Sequence, residues 1–550
     1  MNASAQYFNT PSYNQHYYQW PVQATQAIVA NFGELRPNHY HMGLDCRTEQ
    51  VQNKRVLAAA DGYIAKVKVE PWGFGRAIYI NHPNGHTTLY AHLNDFNPAL
   101  EKYVTEQQYK LRSWAVFLDI PANLFPVKQG DFIAFSGTTG GSQGPHVHFE
   151  IRDTKTDKVL NPLMMGLPVK DNIAPDILRL AVYDRTISTY EQTPRIYALK
   201  KVNGVYTPAG GSIKVNTQKA SFAITAYDRY TGSTNQNGIY EAVLYDNDKA
   251  ISGFRMDSIS YDETRYLNAH IDYRYKAAGG PYLQHLSRLP GNEGGIYKTD
   301  AGNGVINFET EKEHAIRISA ADPNGNTSNI KFTITSTGNS NTRPSVSGPV
   351  FHPGFVNVFE NNDVQFYLDE KTVYDSFHFK YSKTVDVTGR NIYHLHNTTV
   401  PLQHYFTLKI RADYFNNDTA KTVILRSYVG KKDYVKALFE KGWFRANFRE
   451  FGNFQLIQDE TPPTISPLGF ANGINAAKLS RIAFAVTDNT EEIKNFTAML
   501  DGKWLRFTND KGRNFIYKFD ENCPPGAHEL VVTAEDQVGN ITTKTYNFTR

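Results

Sequence analysis

Cysteine is nearly absent: only Cys46 and Cys523 occur in 550 residues, at opposite ends of the chain. That excludes a disulfide framework and any zinc site built on clustered thiolates. No apolar run approaches the length of a membrane-spanning helix. Charge is sparse, at 20% of residues with a net of +4 and no run of Lys or Arg, so a nucleic-acid footprint is excluded. The segment Met1 to Gln6 has neither the basic region nor the apolar core of a secretory leader, and no signal peptide is expected there. What the chain has instead is 34 Tyr, 33 Phe and 39 Gly, a composition that favours β-strands separated by turns. Its length exceeds what one core can hold, so several domains are expected.

Residues 1–170 read as one unit of short strands and Gly-rich turns, with strands at Gly62–Val69, 77–81, 87–92 and 147–152. Between about 97 and 127, Leu100, Tyr103, Val104, Gln107, Leu111 and Trp114 fall near a helical period, followed by Pro121 and Pro126. This predicts a helix and loop inserted into the β-domain, either extra packing or a wall of a substrate cleft.

Beyond residue 170 an internal repeat is legible. Pro175-Asp176-Ile177, the AITAYD run ending at Asp228 and the Asp322-Pro323-Asn324-Gly325-Asn326 turn recur in order. Their counterparts are Pro463-Thr464-Ile465, the AFAVTD run ending at Asp488, and Asp536-Gln537-Val538-Gly539-Asn540. Such punctuation suits small β-sandwiches. The expected division is 171–338, with an insertion at about 261–295, then a β-domain of less regular grammar at 339–458, then 459–550. The fold class is thus mainly β, with immunoglobulin-like sandwiches in the tail.

Histidine concentrates in three segments of the first unit: His41-Met42-Gly43-Leu44-Asp45, Tyr90-Ala91-His92-Leu93, and Gly144-Pro145-His146-Val147-His148-Phe149-Glu150. Strand residues two or four apart share a face, so His146 and His148 project together, as do His41 and Asp45 if extended. Two imidazoles and a carboxylate around one ion, with a position left for water, is the ligand count of a catalytic zinc site. Hydrolysis further needs groups that move a proton and stabilise an oxyanion, for which His92 and His146 are the well-placed candidates. Glu150 shares the face of His148 and reads as a paired or solvent-facing carboxylate, or as a support for that histidine. Cys46 points away from Asp45 and reads as a small buried hydrophobe. His39, His82 and His86 read as loop or surface residues, and His270 and His285 as ordinary. Gly140, Gly141 and Gly144 suit a tight turn before the H-x-H strand.

These elements, in this order, resemble the lysostaphin/LytM family of zinc endopeptidases. The resemblance extends to Phe32-Gly33-Glu34, Asp61-Gly62, Tyr79-Ile80-Asn81-His82, Gly130-Asp131, Ser136-Gly137-Thr138-Thr139-Gly140 and Asn161-Pro162, and covers roughly the first 170 residues. It implies a small antiparallel β-domain of the duplicated hybrid motif type. It also implies one Zn2+ held by His41, Asp45 and His148, with His92 and His146 as the catalytic pair. The implied substrate is the cross-linking peptide of peptidoglycan, which places the protein outside the cytoplasmic membrane, in the periplasm or cell envelope. An envelope partner for the tail is a further expectation. Three rivals stand beside this reading. A regulator of wall hydrolases would have lost ligands, an iron oxygenase would use the same two-histidine, one-carboxylate set, and a scaffold would act through the tail alone.

Overall fold

Alternation of apolar and polar residues builds the first sheet, whose strands are β1 (Ile28–Ala30), β2 (Leu44–Arg47), β3 (Gly62–Val69), β4 (Arg76–Asn81), β5 (His86–Ala91), β6 (Val116–Asp119) and β7 (His146–Asp153). In the computed structural model, which describes residues 7–9, 11–308, 312–338, 347–412, 418–512 and 514–550, their order is β1-β2-β7-β5-β4-β3-β6. The segment Met1–Gln6 and the division expected at residue 339 lie outside the described residues. Strand β7 shows the governing pattern. Val147, Phe149 and Ile151 are fully buried in the core beneath the sheet, so His146, His148 and Glu150 must project from the opposite face.

The insertion forms helix α1 (Pro98–Leu111), which starts where Asn97 Oδ1 accepts from the Leu100 amide and Pro98 sets the first turn. Leu100, Val104 and Gln108 are its buried face, while Leu111 is exposed. The segment after the helix, expected as loop, contributes β6, which pairs with β3 (Phe117 opposite Lys68) at the sheet edge remote from the histidines. The strand of the insertion thus packs at that edge, while α1 lies against Leu93–Phe96, the segment that follows His92, where Glu101 Oε2 accepts from the Phe96 amide at 3.1 Å.

The next unit is not separate from the first. Strand β8 (Val159–Leu160) pairs with β7 on one side and with β9 (Ser258–Ile259) on the other, carrying the first sheet into the second unit. Phe32, Tyr40, Met42 and Val159 lie in one continuous core with Leu180, Phe222, Phe254 and Ile330. The insertion around 261–295 folds as two short helices, Leu267–His270 and Tyr273–Ala277, and lies against the first unit, where Thr264 Oγ1 accepts from the Tyr40 amide at 2.9 Å. Farther on, two five-stranded sheets enclose a core rich in Phe, including Phe351, Phe366, Phe377 and Phe451. A three-stranded and a four-stranded sheet then enclose the last core, around Phe484, Tyr517 and Val532.

Candidate metal centre

Three strands deliver the cluster. In the antiparallel pairing of β2 with β7, Asp45 stands opposite His148, and His148 in turn stands opposite Ala91 of β5. The chain enters β2 through Gly43, where a Cβ would meet the Phe149 carbonyl at 2.5 Å and His148 Nε2 at 2.9 Å. Only glycine lets this segment cross β7 closely enough to bring His41 over the same spot. His41 Nε2, Asp45 Oδ1 and His148 Nδ1 form a triangle with all three sides 3.0 Å.

The remaining ring nitrogens determine what that triangle can do. A carbonyl or carboxylate only accepts, so His41 Nδ1 must donate to the Asn31 carbonyl (2.7 Å), and His148 Nε2 to Glu150 Oε1 (2.9 Å). The other nitrogen of each ring then faces the triangle with its lone pair, beside a carboxylate oxygen. Three converging lone pairs require a positive charge between them. Four-coordinate zinc, with bonds of about 2.0–2.1 Å, sets its ligand atoms about 3.3 Å apart, close to the spacing found. Two imidazoles and one carboxylate also match its donor preference.

The electrostatics agree. Burial works against ionising Asp45, yet the surrounding His41, His146 and His148 hold its carboxyl well below the usual range. Burial also disfavours a charged His148, but Asp45 and Glu150 on its two sides lift it to about 9, so in the metal-free chain Nδ1 carries a proton where a cation would otherwise sit. The cluster thus concentrates negative potential on one point.

His92 and His146 stand beside the triangle, their ring centroids 4.9 Å apart. His146 Nε2 lies 3.4 Å from Asp45 Oδ1, while its Nδ1 donates to the Gly144 carbonyl at 2.8 Å. His92 follows the end of β5 in a left-handed backbone conformation, φ 59°, which turns its ring inward where the strand would have alternated past. Its Nδ1 donates to the Thr139 carbonyl at 2.8 Å. Burial, with His146 and His148 adding to it, lowers His92 to about 3 and keeps its ring neutral. All five residues singled out from the sequence therefore come together.

Other expectations are met only in part. Glu150 is paired and supports His148, as two of its readings had it, but it is not solvent-facing; it is fully buried, accepting from His148, from Tyr261 Oη at 2.6 Å and from Arg152 Nε at 2.7 Å. His82 lies in the loop between β4 and β5, as expected, but is buried rather than at the surface, bridging the Asp61 carbonyl and Thr88 Oγ1. Cys46 is buried as expected. Of the three glycines before β7, only Gly140 has positive φ, and its Cβ would strike the Gly75 amide.

Several participants carry no sequence signal. The Asn31 and Thr139 carbonyls are backbone atoms, and Tyr261 comes from the second unit. The last unit also reaches this region. Asp510 Oδ1 accepts from the Gly140 amide (2.8 Å), while Lys511 donates from Nζ to the Ser142 carbonyl and from its amide to the Pro71 carbonyl, both at 2.7 Å. Helix α1 supports this contact through Gln108, which accepts from Arg506 at 2.9 Å.

Comparison with known proteins finds similarity over parts of the chain. Peptidase family M23 matches residues 39–109, and a Zu5-like domain matches residues 349–459. A DD-carboxypeptidase/endopeptidase, Mpg, of Neisseria meningitidis serogroup B is 34% identical over 131 residues, which are 24% of this chain and 24% of that protein. An uncharacterized metalloprotease of Haemophilus influenzae is 28% identical over 177 residues, 30% of this chain and 31% of its own length. Among solved structures, the catalytic domain of lysostaphin from Staphylococcus simulans aligns at 23% identity, over 24% of this chain and 86% of that one, with a TM-score of 0.18.

Proposed function

We propose that this chain, which carries an M23 peptidase domain of the lysostaphin/LytM type and a Zu5-like β domain behind it, is a zinc-dependent endopeptidase acting on the peptide cross-links of peptidoglycan. The observation that carries the reading is the 3.0 Å triangle of His41 Nε2, Asp45 Oδ1 and His148 Nδ1, with both imidazole tautomers dictated by their outer partners. These three would hold the ion. Bound zinc supplies Lewis acidity, which brings a water's pKa to about 7 and polarises a scissile carbonyl.

The chain's own groups do the rest. His146 and His92 each donate Nδ1–H to a backbone carbonyl, so each presents an Nε2 lone pair toward the cluster. These rings can accept a proton from the attacking water and return it to the leaving amine. In protonated form they can stabilise the oxyanion. Glu150, held by Arg152 and Tyr261, orients His148 without touching substrate.

The substrate assignment is supported by the DD-carboxypeptidase/endopeptidase relative and by the full set of five residues, which a ligand-deficient regulator would lack. Action on peptidoglycan places the protein in the cell envelope. On this reading the units around residues 171–338 and 459–550 are immunoglobulin-like sandwiches that orient or cover the peptidase. Metal analysis of purified protein, with mass spectrometry of muropeptides digested by wild type and His92→Ala, tests it. Stoichiometric iron without zinc, or equal product from both proteins, overturns it.

A further inference from the structure

The two copies of the internal repeat each assemble three carboxylates at their entry linker. In the first, Asp171 of the linker, Asp228 at the end of the AITAYD strand and Asp322 of the Asp-x-x-Gly-Asn turn offer oxygens all within 4.8 Å of one another. In the second, Asp459, Asp488 and Asp536 occupy the matching places with the same closeness. The turns agree in detail. Asp322 Oδ1 accepts from the amides of Asn324 and Asn326, both at 2.9 Å, and Oδ2 from Asn326 Nδ2 at 2.7 Å. Asp536 does the same with Val538, Asn540 and Asn540 Nδ2, at 2.9, 2.9 and 2.7 Å. In both copies the turn's closing Asn also reaches the carbonyl of the linker aspartate.

Clustering alone is not a site; the unpartnered oxygens make the case. Asp228 is 1% exposed, yet neither of its carboxylate oxygens has a hydrogen-bond partner. Asp171 Oδ2 is likewise unpartnered, as are Oδ2 of Asp459, itself 1% exposed, and Oδ1 of Asp488. The neighbouring cation does not compensate, since Arg229 pairs with Asp176 instead. Buried carboxylates without partners are costly, and here the same arrangement occurs twice. Calcium takes six to eight oxygens at about 2.3–2.6 Å, so two ligands of one ion lie at most about 5 Å apart, and carboxylates without nitrogen or sulfur suit a hard cation.

We propose that the chain binds two calcium-class divalent cations, one at Asp171, Asp228 and Asp322 and one at Asp459, Asp488 and Asp536, each fixing a linker to the β-unit it enters. The sites are independent of the histidine cluster and differ from it in donor chemistry. The test uses the full chain, dialysed against a chelator, reloaded with zinc and titrated with Ca2+ by calorimetry in excess Mg2+. Two ions per chain are expected for wild type, one for folded Asp228→Asn, one for folded Asp536→Asn and none for the double variant, with wild-type Tm rising as calcium is added. Should a variant not fold, the wild-type count decides. Fewer than two saturable ions at up to about 10 mM Ca2+, above the range typical of extracellular modules, overturns the proposal, as does undiminished binding in a folded double variant.

Discussion

Glu150 and His148, two residues apart on one strand, are joined by a 2.9 Å hydrogen bond from Nε2–H to a carboxylate with no exposure to solvent. Burial would raise the Glu150 carboxyl, but Arg152 and His148 hold it down at about 2, so it stays ionised and holds the His148 ring with Nδ1 aimed at the triangle. Glu150→Gln is therefore expected to weaken zinc binding by about 10- to 100-fold, measured by chelator competition. Unchanged affinity would remove Glu150 from the site.

Ligand and proton-transfer roles separate by metal content. His92→Ala and His146→Ala should each lower turnover by about 100-fold or more while zinc stays stoichiometric. His41→Ala and His148→Ala should lose zinc and activity together. Elemental analysis beside muropeptide digestion distinguishes the two patterns.

Asp510 and Lys511 tie the last unit to Gly140, Ser142 and Pro71, beside the histidine cluster, and this tie is expected to restrain access of polymeric wall to it. Replacing both by Ala is expected to raise the rate on polymeric wall by up to about tenfold, since such a hydrogen bond contributes about 0.5–1.5 kcal/mol net. Zinc content should not change. Identical rates on intact wall for both proteins would show that this contact restrains nothing.

Acid should destabilise the chain through histidines buried neutral outside the cluster. Burial lowers His285 to about 3, with Arg185 and His270 adding to it, and lowers His270 to about 4. A depressed histidine binds its proton in the unfolded chain first, so stability present above pH 6.5 is lost as pH falls from there toward 3–4. Each such group contributes about 2 kcal/mol of loss between pH 6.5 and 5. His285→Gln should flatten the fall in unfolding midpoint over that window, read by denaturant titration at several pH values.

The strands that carry the histidines could be read because alternation and motif spacing are local properties. Val147, Phe149 and Ile151 announce a buried face, and His146 and His148 are what remains. Helix α1 was legible for the same reason, through Leu100 and Val104. Strand β6 was not, since Val116–Asp119 becomes a strand only by pairing with β3. His82 carries no mark of its burial, which depends on Thr88 across the hairpin. Tyr261 lies 111 residues from Glu150, and no pattern in either segment signals that they meet. The repeat exposed Asp228, Asp322, Asp488 and Asp536 as punctuation, but their convergence is a property of folded sheets.

The core shared by Phe32, Tyr40 and Met42 with the second unit bears on truncation. A chain ended at residue 171 would expose these three side chains, each worth roughly 1.5–3 kcal/mol when buried. It should be recovered as aggregated or unfolded material, as monitored by size-exclusion chromatography. A cut before residue 459 leaves that core whole and is the better probe of the last unit.

The β8–β9 pairing also sets an order of events. A chain emerging from its N-terminus can form the histidine strands early, but Ser258, Ile259 and Tyr261 come about a hundred residues after the last cluster histidine. Until they arrive, β8 has an open edge and Glu150 lacks its tyrosine. The sheet that holds the cluster is finished late, so a half-made chain carries its histidines without the strand edge and tyrosine that brace them.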